Sequence, residues 1–164
     1  MLGIINLPQP VFMHIALVEP EIPPNTGNIA RICAATHTAL HIVGVTGFRM
    51  DDRTLKRAGL DYWKEVDLYR HIDLERLYAA LPDSRFLYFT TKSERPYTEW
   101  EYRANDCLVF GRETRGLPED LLRANWERCL TIPMPNKRVR SLNLATSAGI
   151  VLYEALRQTG FRQK

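Results

Sequence analysis

Apolar residues fall along this chain in short runs divided by polar loops. Residues 13–18 (MHIALV), 40–45 (LHIVGV), 66–69, 86–90, 107–110 (CLVF) and 129–132 are each of strand length, and their flanking turn residues predict six strands. Helical spacing lies between them. From Thr26, Ile29, Ile32, Cys33 and Thr36 share one helical face, with Asn25 or Thr26 placed to cap the start, while Asn28 and Arg31 share another. Residues 51–59, 74–81 and 118–124 predict three more helices. The last begins at Leu144, where Leu144, Ala148, Val151, Leu152 and Ala155 form one apolar stripe. Strand, helix, strand with short joints is the βαβ pattern, so the expected fold is α/β, a parallel sheet with helices on both faces.

Two stretches break the pattern. Residues 19–27 (EPEIPPNTG) carry three prolines and a glycine and predict a rigid loop. Residues 92–103 are polar and aromatic without a firm period. Residues 1–10 hold two prolines and predict an arm ahead of a domain that starts near Met13. At 164 residues, the chain has the length of one average domain, and one domain is expected over residues 1–164.

Composition narrows the functional classes. Apolar residues at 45% and charged residues at 25% are the profile of a globular protein. A net charge of +3 permits a nucleic-acid partner without requiring one, so the position of the cations must decide. No run approaches the roughly 20 apolar residues of a membrane span, and the N-terminus lacks a signal-peptide pattern, which predicts a cytoplasmic protein without a membrane partner. Cys33, Cys107 and Cys129 are far apart in apolar contexts and read as core fillers. With His14, His37, His41 and His71 they give no metal-ligand spacing, so no metal is expected.

Ligands in parallel sheets sit beyond the carboxyl ends of the strands. That rule nominates residues 19–27, 111–118 and 133–143. The second, GRETRGLP, has two glycines that admit close backbone approach, with Glu113 and Arg115 between them. It is neither a P-loop nor a dinucleotide fingerprint. In the third, Lys137, Arg138 and Arg140 crowd a helix start that Ser141 or Asn143 can cap. A solvated basic loop before a capped helix is the plain alternative. No nucleophile elbow is present, so the site suits holding and orienting better than acid–base work.

Taken together, EPEIPPNTGNIAR with CAAT, LVFGRETRGLP, and IPM with RSLNL and LYEALRQ resemble the three motifs of the SpoU-type SPOUT RNA 2′-O-methyltransferases. RAGLDYW and TTK strengthen the likeness to the small members that methylate the wobble ribose, cytidine or uridine 34, of tRNA. The resemblance spans residues 13–160. It implies a C-terminal deep trefoil knot, a homodimer, S-adenosylmethionine as cofactor and a tRNA anticodon stem-loop as partner. By position, Phe89, Gly111, Ile132, Ser141 and Leu142 would bind the cofactor. Arg31, Asn25, Glu113, Asn143 and Tyr153 would serve catalysis, Tyr153 being equally a core tyrosine. Arg115, Lys137, Arg138 and Arg140 would meet RNA, with Arg49, Arg53, Lys56 and Arg57 as a second cluster. Two departures stand out: the loop between Ile132 and Ser141 is one residue longer, and Thr146 occupies a position where Asn is common. The alternatives are an rRNA ribose 2′-O-methyltransferase of the same superfamily and a non-catalytic RNA-binding knot protein.

Overall fold

In a computed structural model, residues 12–51, 53 and 62–161 are described, and six strands run side by side. They are β1 His14–Val18, β2 Ala39–Val43, β3 Leu68–His71, β4 Phe86–Phe89, β5 Cys107–Phe110 and β6 Cys129–Leu130. The order is β3-β2-β1-β5-β4-β6 and every pairing is parallel. Among the described residues the helices are α1 Pro23–Thr36, α2 Leu74–Ala80, α3 Glu119–Ala124 and α4 Leu144–Thr159. Alternation along the strands feeds two cores, as a pleated sheet covered on both faces requires. Ile15, Leu17, Leu40, Ile42, Leu108 and Phe110 pack under α1 and α4, the latter through its stripe of Ala148, Val151, Leu152 and Ala155. Ala16, Val18, Val43, Tyr88 and Val109 face Leu77 of α2 and Leu122 of α3.

The expected α/β class therefore holds, with four local corrections, the first being that β3 runs Leu68–His71 and not over the expected residues 66–69. The segment read as an irregular loop through residue 27 turns helical at Pro23, with Ile22 as N-cap. Prolines at the first two helical positions cost nothing there, because those N–H groups have no intrahelical partner and the ring fixes a helical φ. Asn25 and Thr26 are consequently buried inside the first turn and do not cap it. β2 stops at Val43, since Gly44 takes a φ of 79° and sends Val45 into solvent, 80% exposed. β6 ends at Leu130, and Thr131 instead bridges Pro96, which orders part of residues 92–103 together with a 3-10 turn at Tyr97–Glu99. The arm, most of the helix expected over residues 51–59, and Lys56 and Arg57 lie outside the described residues.

All three cysteines are free and buried. The histidines hold an arrangement their spacing did not reveal. Parallel register brings His14, His41 and His71 into a row across β1, β2 and β3, with His14 Nδ1 3.0 Å from His41 Nε2 and His41 Nδ1 2.9 Å from His71 Nε2. Tyr69 stacks on His41 at 5.1 Å. Burial lowers the His14 pKa from 6.5 to about 4. For His41, burial and then the two neighbouring imidazoles lower it to about 3. Among the described residues, no helix is long and apolar enough to cross a membrane, and no group of three or more His, Cys, Asp or Glu can hold a metal ion.

Candidate active site

The site lies where β4, β5 and β6 release their chains. Phe89 and Phe110 end neighbouring strands and stack at 4.9 Å with their planes 15° apart, giving the cavity an apolar floor. Around it is a space of about 500 Å³, the size of a small-molecule site. Gly111 follows Phe110 and forms the wall. A Cβ on it would stand 2.1 Å from the Gly116 carbonyl carbon and 2.3 Å from the Leu117 nitrogen, so only glycine lets residues 112–116 fold back against the strand end. That fold-back is held by Gly116 N donating to Arg112 O at 2.9 Å, and Gly116 takes a left-handed φ of 67°.

Residues 19–27 are bolted to this second loop. The Glu113 carboxylate accepts from Glu21 N at 2.8 Å, Ile22 N at 3.0 Å and Asn25 Nδ2 at 3.3 Å. It thereby caps the start of α1 from a segment 91 residues away, supplying the acceptor that Ile22 lacks. Asn143 Nδ2 donates to Asn25 Oδ1 at 2.9 Å, and Asn143 Oδ1 accepts from Thr146 N at 3.1 Å, which caps α4. One chain of hydrogen bonds thus links all three loops: Asn143 donates, Asn25 relays and Glu113 receives. Sequence reading chose these three residues but not the two links beside them. Arg112 Nε donates to Glu19 at 3.0 Å, and Thr114 Oγ1 donates to the Glu21 carboxylate at 2.9 Å. Their signal was the matched alternation of Glu19 and Glu21 against Arg112 and Thr114.

Every residue expected at the cofactor, Phe89, Gly111, Ile132, Ser141 and Leu142, lines the cavity. So do Asn25, Glu113 and Asn143, and from the basic set Arg115 and Arg140. Lys137 and Arg138 are exposed on the same loop outside the lining. Arg31 and Tyr153 are not brought to it. Arg31 stands six residues along α1 from Asn25, roughly 9 Å of helical rise, where its guanidinium lies against Tyr62. Tyr153 is 49% exposed on α4 beside Phe161. Of the second cluster, Arg49 is exposed and bound by Asp51, and Arg53 is exposed.

A parallel sheet whose strand-end loops close a ligand-sized cleft, furnished with hydrogen-bonding groups and cations and lined by no histidine, defines a protein that binds and orients a small ligand beside an anionic one. Residues 13–153 match the SpoU rRNA Methylase family, and the chain belongs to that family. It is 50% identical over 155 residues to a Bacillus subtilis (strain 168) protein provisionally named tRNA (cytidine(34)-2′-O)-methyltransferase, covering 93% of this chain and 96% of the relative. A solved structure described as giving insight into the 2-OH methylation of C/U34 on tRNA superposes with a TM-score of 0.85 at 45% identity, over 90% of this chain and 96% of that one. An rRNA methyltransferase from Sinorhizobium meliloti, solved with AdoMet bound, aligns with a TM-score of 0.79 at 27% identity. The match covers 92% of this chain but 57% of that chain.

Proposed function

We propose that the protein transfers a methyl group from S-adenosylmethionine to the ribose 2′-OH of the wobble nucleotide, cytidine or uridine 34, of tRNA. The observation that carries this reading is the convergence of three distant loops on one cavity at the strand carboxyl ends, fixed by the Glu113–Asn25–Asn143 chain. The cavity suits the cofactor. Phe89, Phe110 and Leu142 offer an apolar surface for an adenine ring, while strand-end peptide groups at Gly111 and Ile132, with Ser141, offer donors and acceptors for its polar rim. Bound there, the cofactor supplies a methyl already activated by a sulfonium.

What remains for the chain is to hold a weakly acidic hydroxyl in line with that methyl. Arg31 orients an RNA phosphate and stabilises the developing alkoxide as a permanent cation, since guanidinium does not act as a free base. Arg115 and Arg140 at the cavity and Lys137 and Arg138 beyond it draw in the phosphate backbone. A tRNA substrate is favoured over rRNA because the tRNA relative is matched over 96% of its length, whereas the rRNA enzyme extends well past this domain.

The reading further includes a single cytoplasmic domain, a trefoil knot and a homodimer. For the knot, support comes from the chain running out to β6 at the sheet edge and returning as α4 against the core beneath β1 and β5; pulling on the two termini would leave a shortened contour if it is tied. The dimer is supported by the exposed aromatics Tyr153 and Phe161 and by Arg31 standing off its own cavity; sedimentation at monomer mass would exclude it. Incubation with labelled cofactor and bulk tRNA tests the activity. Label is expected at the wobble ribose, and none there in any isoacceptor sinks the substrate assignment. Arg31→Ala is expected to keep cofactor affinity and lose transfer; retained turnover removes Arg31 from the mechanism.

A further inference from the structure

Arg31 is held differently from most of the arginines whose contacts are described. Arg112, Arg85, Arg49, Arg123 and Arg157 each face a carboxylate, of Glu19, Asp106, Asp51, Asp120 and Glu154. Arg31, like Arg95 over Trp100 at 4.7 Å, instead meets an aromatic ring. Its guanidinium carbon lies 4.8 Å from the Tyr62 ring centroid, and Nη2 donates to the Tyr62 hydroxyl at 3.4 Å. A carboxylate would position a guanidinium but cancel the charge that a phosphate or alkoxide needs. A ring face positions it through its quadrupole and leaves the net charge intact.

Tyr62 is itself well anchored. It caps the 3-10 turn Trp63–Glu65, where Glu65 N donates to Tyr62 O at 2.8 Å, and Trp63 packs against the core beneath α1. The backbone of the platform is thus tied to the body that carries Arg31, while Tyr62 as a whole remains 38% exposed beside it. Neither residue lines the cavity, so the contact leaves the lining of that space untouched.

We propose that Tyr62 is a positioning residue for Arg31, a neutral platform that restricts the guanidinium to the orientation in which it meets the ribose or phosphate of the RNA. This rests on the part given to Arg31 under the proposed function. The test measures single-turnover methyl transfer to tRNA, S-adenosylmethionine affinity by calorimetry, and thermal unfolding. Tyr62→Ala is expected to slow transfer about threefold to tenfold at saturating substrates, from loss of the cation–π contact and of orientation, with cofactor affinity unchanged. Tyr62→Phe keeps the ring and is expected to recover most of the rate. In an Arg31→Lys background that retains measurable transfer, Tyr62→Ala is expected to add little further loss, because the two substitutions remove one interaction.

Wild-type transfer by Tyr62→Ala overturns the proposal. So does an equal loss with and without Arg31, which would make Tyr62 independent of it while leaving the part of Arg31 standing. Full transfer by Arg31→Ala is a different failure, since it removes the reading on which the proposal rests. Should Tyr62→Ala unfold, Tyr62→Leu replaces it, and a Tyr62→Leu variant equal to Tyr62→Phe in rate overturns the platform.

Discussion

Gly111→Ala is the sharpest test of how the cavity is built. The added Cβ would lie 2.1 Å from the Gly116 carbonyl carbon, 2.3 Å from the Leu117 nitrogen and 2.5 Å from the Gly116 oxygen. Carbon atoms in comfortable contact sit about 3.5–4.0 Å apart, so the facing backbone must retreat by more than about 1 Å. No side chain can swing away to absorb this, because all three atoms belong to the main chain. Retreat opens the fold-back in which Gly116 N donates to Arg112 O at 2.9 Å and Arg112 N donates to Gly116 O at 3.3 Å. Overpacking costs about 1–3 kcal/mol, and two backbone hydrogen bonds add about 0.5–1.5 kcal/mol each. A total of about 2–6 kcal/mol corresponds to a fall in melting temperature of roughly 4–24 °C for a chain of this size. The same displacement moves a cavity wall, so methyl transfer is expected to fall about a hundredfold.

Gly116→Ala is the internal control. A Cβ there meets nothing within 4 Å, and only its left-handed φ of 67° opposes substitution, a cost of about 1–2 kcal/mol. Thermal unfolding and cofactor calorimetry on both variants decide the matter. Gly111→Ala with wild-type stability and affinity, or Gly116→Ala as the more damaging change, would refute the close-approach argument.

Other expectations follow from the same contacts. Asn25→Asp sets two carboxylates within about hydrogen-bond distance in a residue 6% exposed; it is expected to cost about 3–5 kcal/mol and, because mutual repulsion raises a carboxyl pKa, to regain stability as pH falls in denaturant titrations. Asn143→Ala removes both the α4 cap and the link to Asn25, for an expected loss of about 1–2 kcal/mol by chemical denaturation. For the histidine row the sign is fixed by lowered folded pKa values: below 6.5 the unfolded chain takes up protons that His14, until about pH 4, and His41, until about pH 3, refuse. Stability should therefore decline from pH 6.5 downward at up to about 1.4 kcal/mol per pH unit for each histidine, and flat urea midpoints across pH 6.5–4 would contradict it. Replacing Lys137 and Arg138 by Glu is expected to weaken tRNA binding and to reduce its logarithmic salt slope by roughly 0.7 per lost phosphate contact in a single-stranded loop; an unchanged slope would take the two residues off the RNA.

The chain reveals some of this architecture directly and conceals the rest for definable reasons. The strands are legible because each is a short apolar run: CLVF is buried throughout as Cys107–Phe110. The last helix is legible because Ala148, Val151, Leu152 and Ala155 keep helical period over several turns and are all fully buried. Helix α1 begins earlier than its sequence suggests, since proline signals a break in the middle of a helix and a start at its first turn, and only the backbone distinguishes the two. Strand order is illegible in any local pattern. β1 pairs with β5, so His14 lies beside Cys107, a contact decided by the whole sheet. The histidine row is hidden for the same reason: its members are 27 and 30 residues apart and meet only through register. At the site, the strand-end rule located all three loops, but Arg31 was drawn in by resemblance and stands on a face of α1 turned from the cavity.

The distribution of titratable groups explains why positioning must dominate the chemistry. The imidazoles of His14, His41 and His71 are engaged in their own row, and none lines the cavity. Glu113 does line it, but its two oxygens already accept from Glu21 N, Ile22 N and Asn25 Nδ2. A carboxylate occupied in this way is committed to holding α1 against the second loop. Asn25 and Asn143 have no proton to exchange near neutral pH. Asn143, Asn25 and Glu113 are therefore committed to holding one geometry, in which Asn143 fixes Asn25, Asn25 meets Glu113, and Glu113 sets the start of α1. Arg31 rides on that helix. On the part proposed for Arg31, a substitution anywhere along the chain of contacts should thus lower turnover by misaligning the helix that carries it, even where the cofactor still binds.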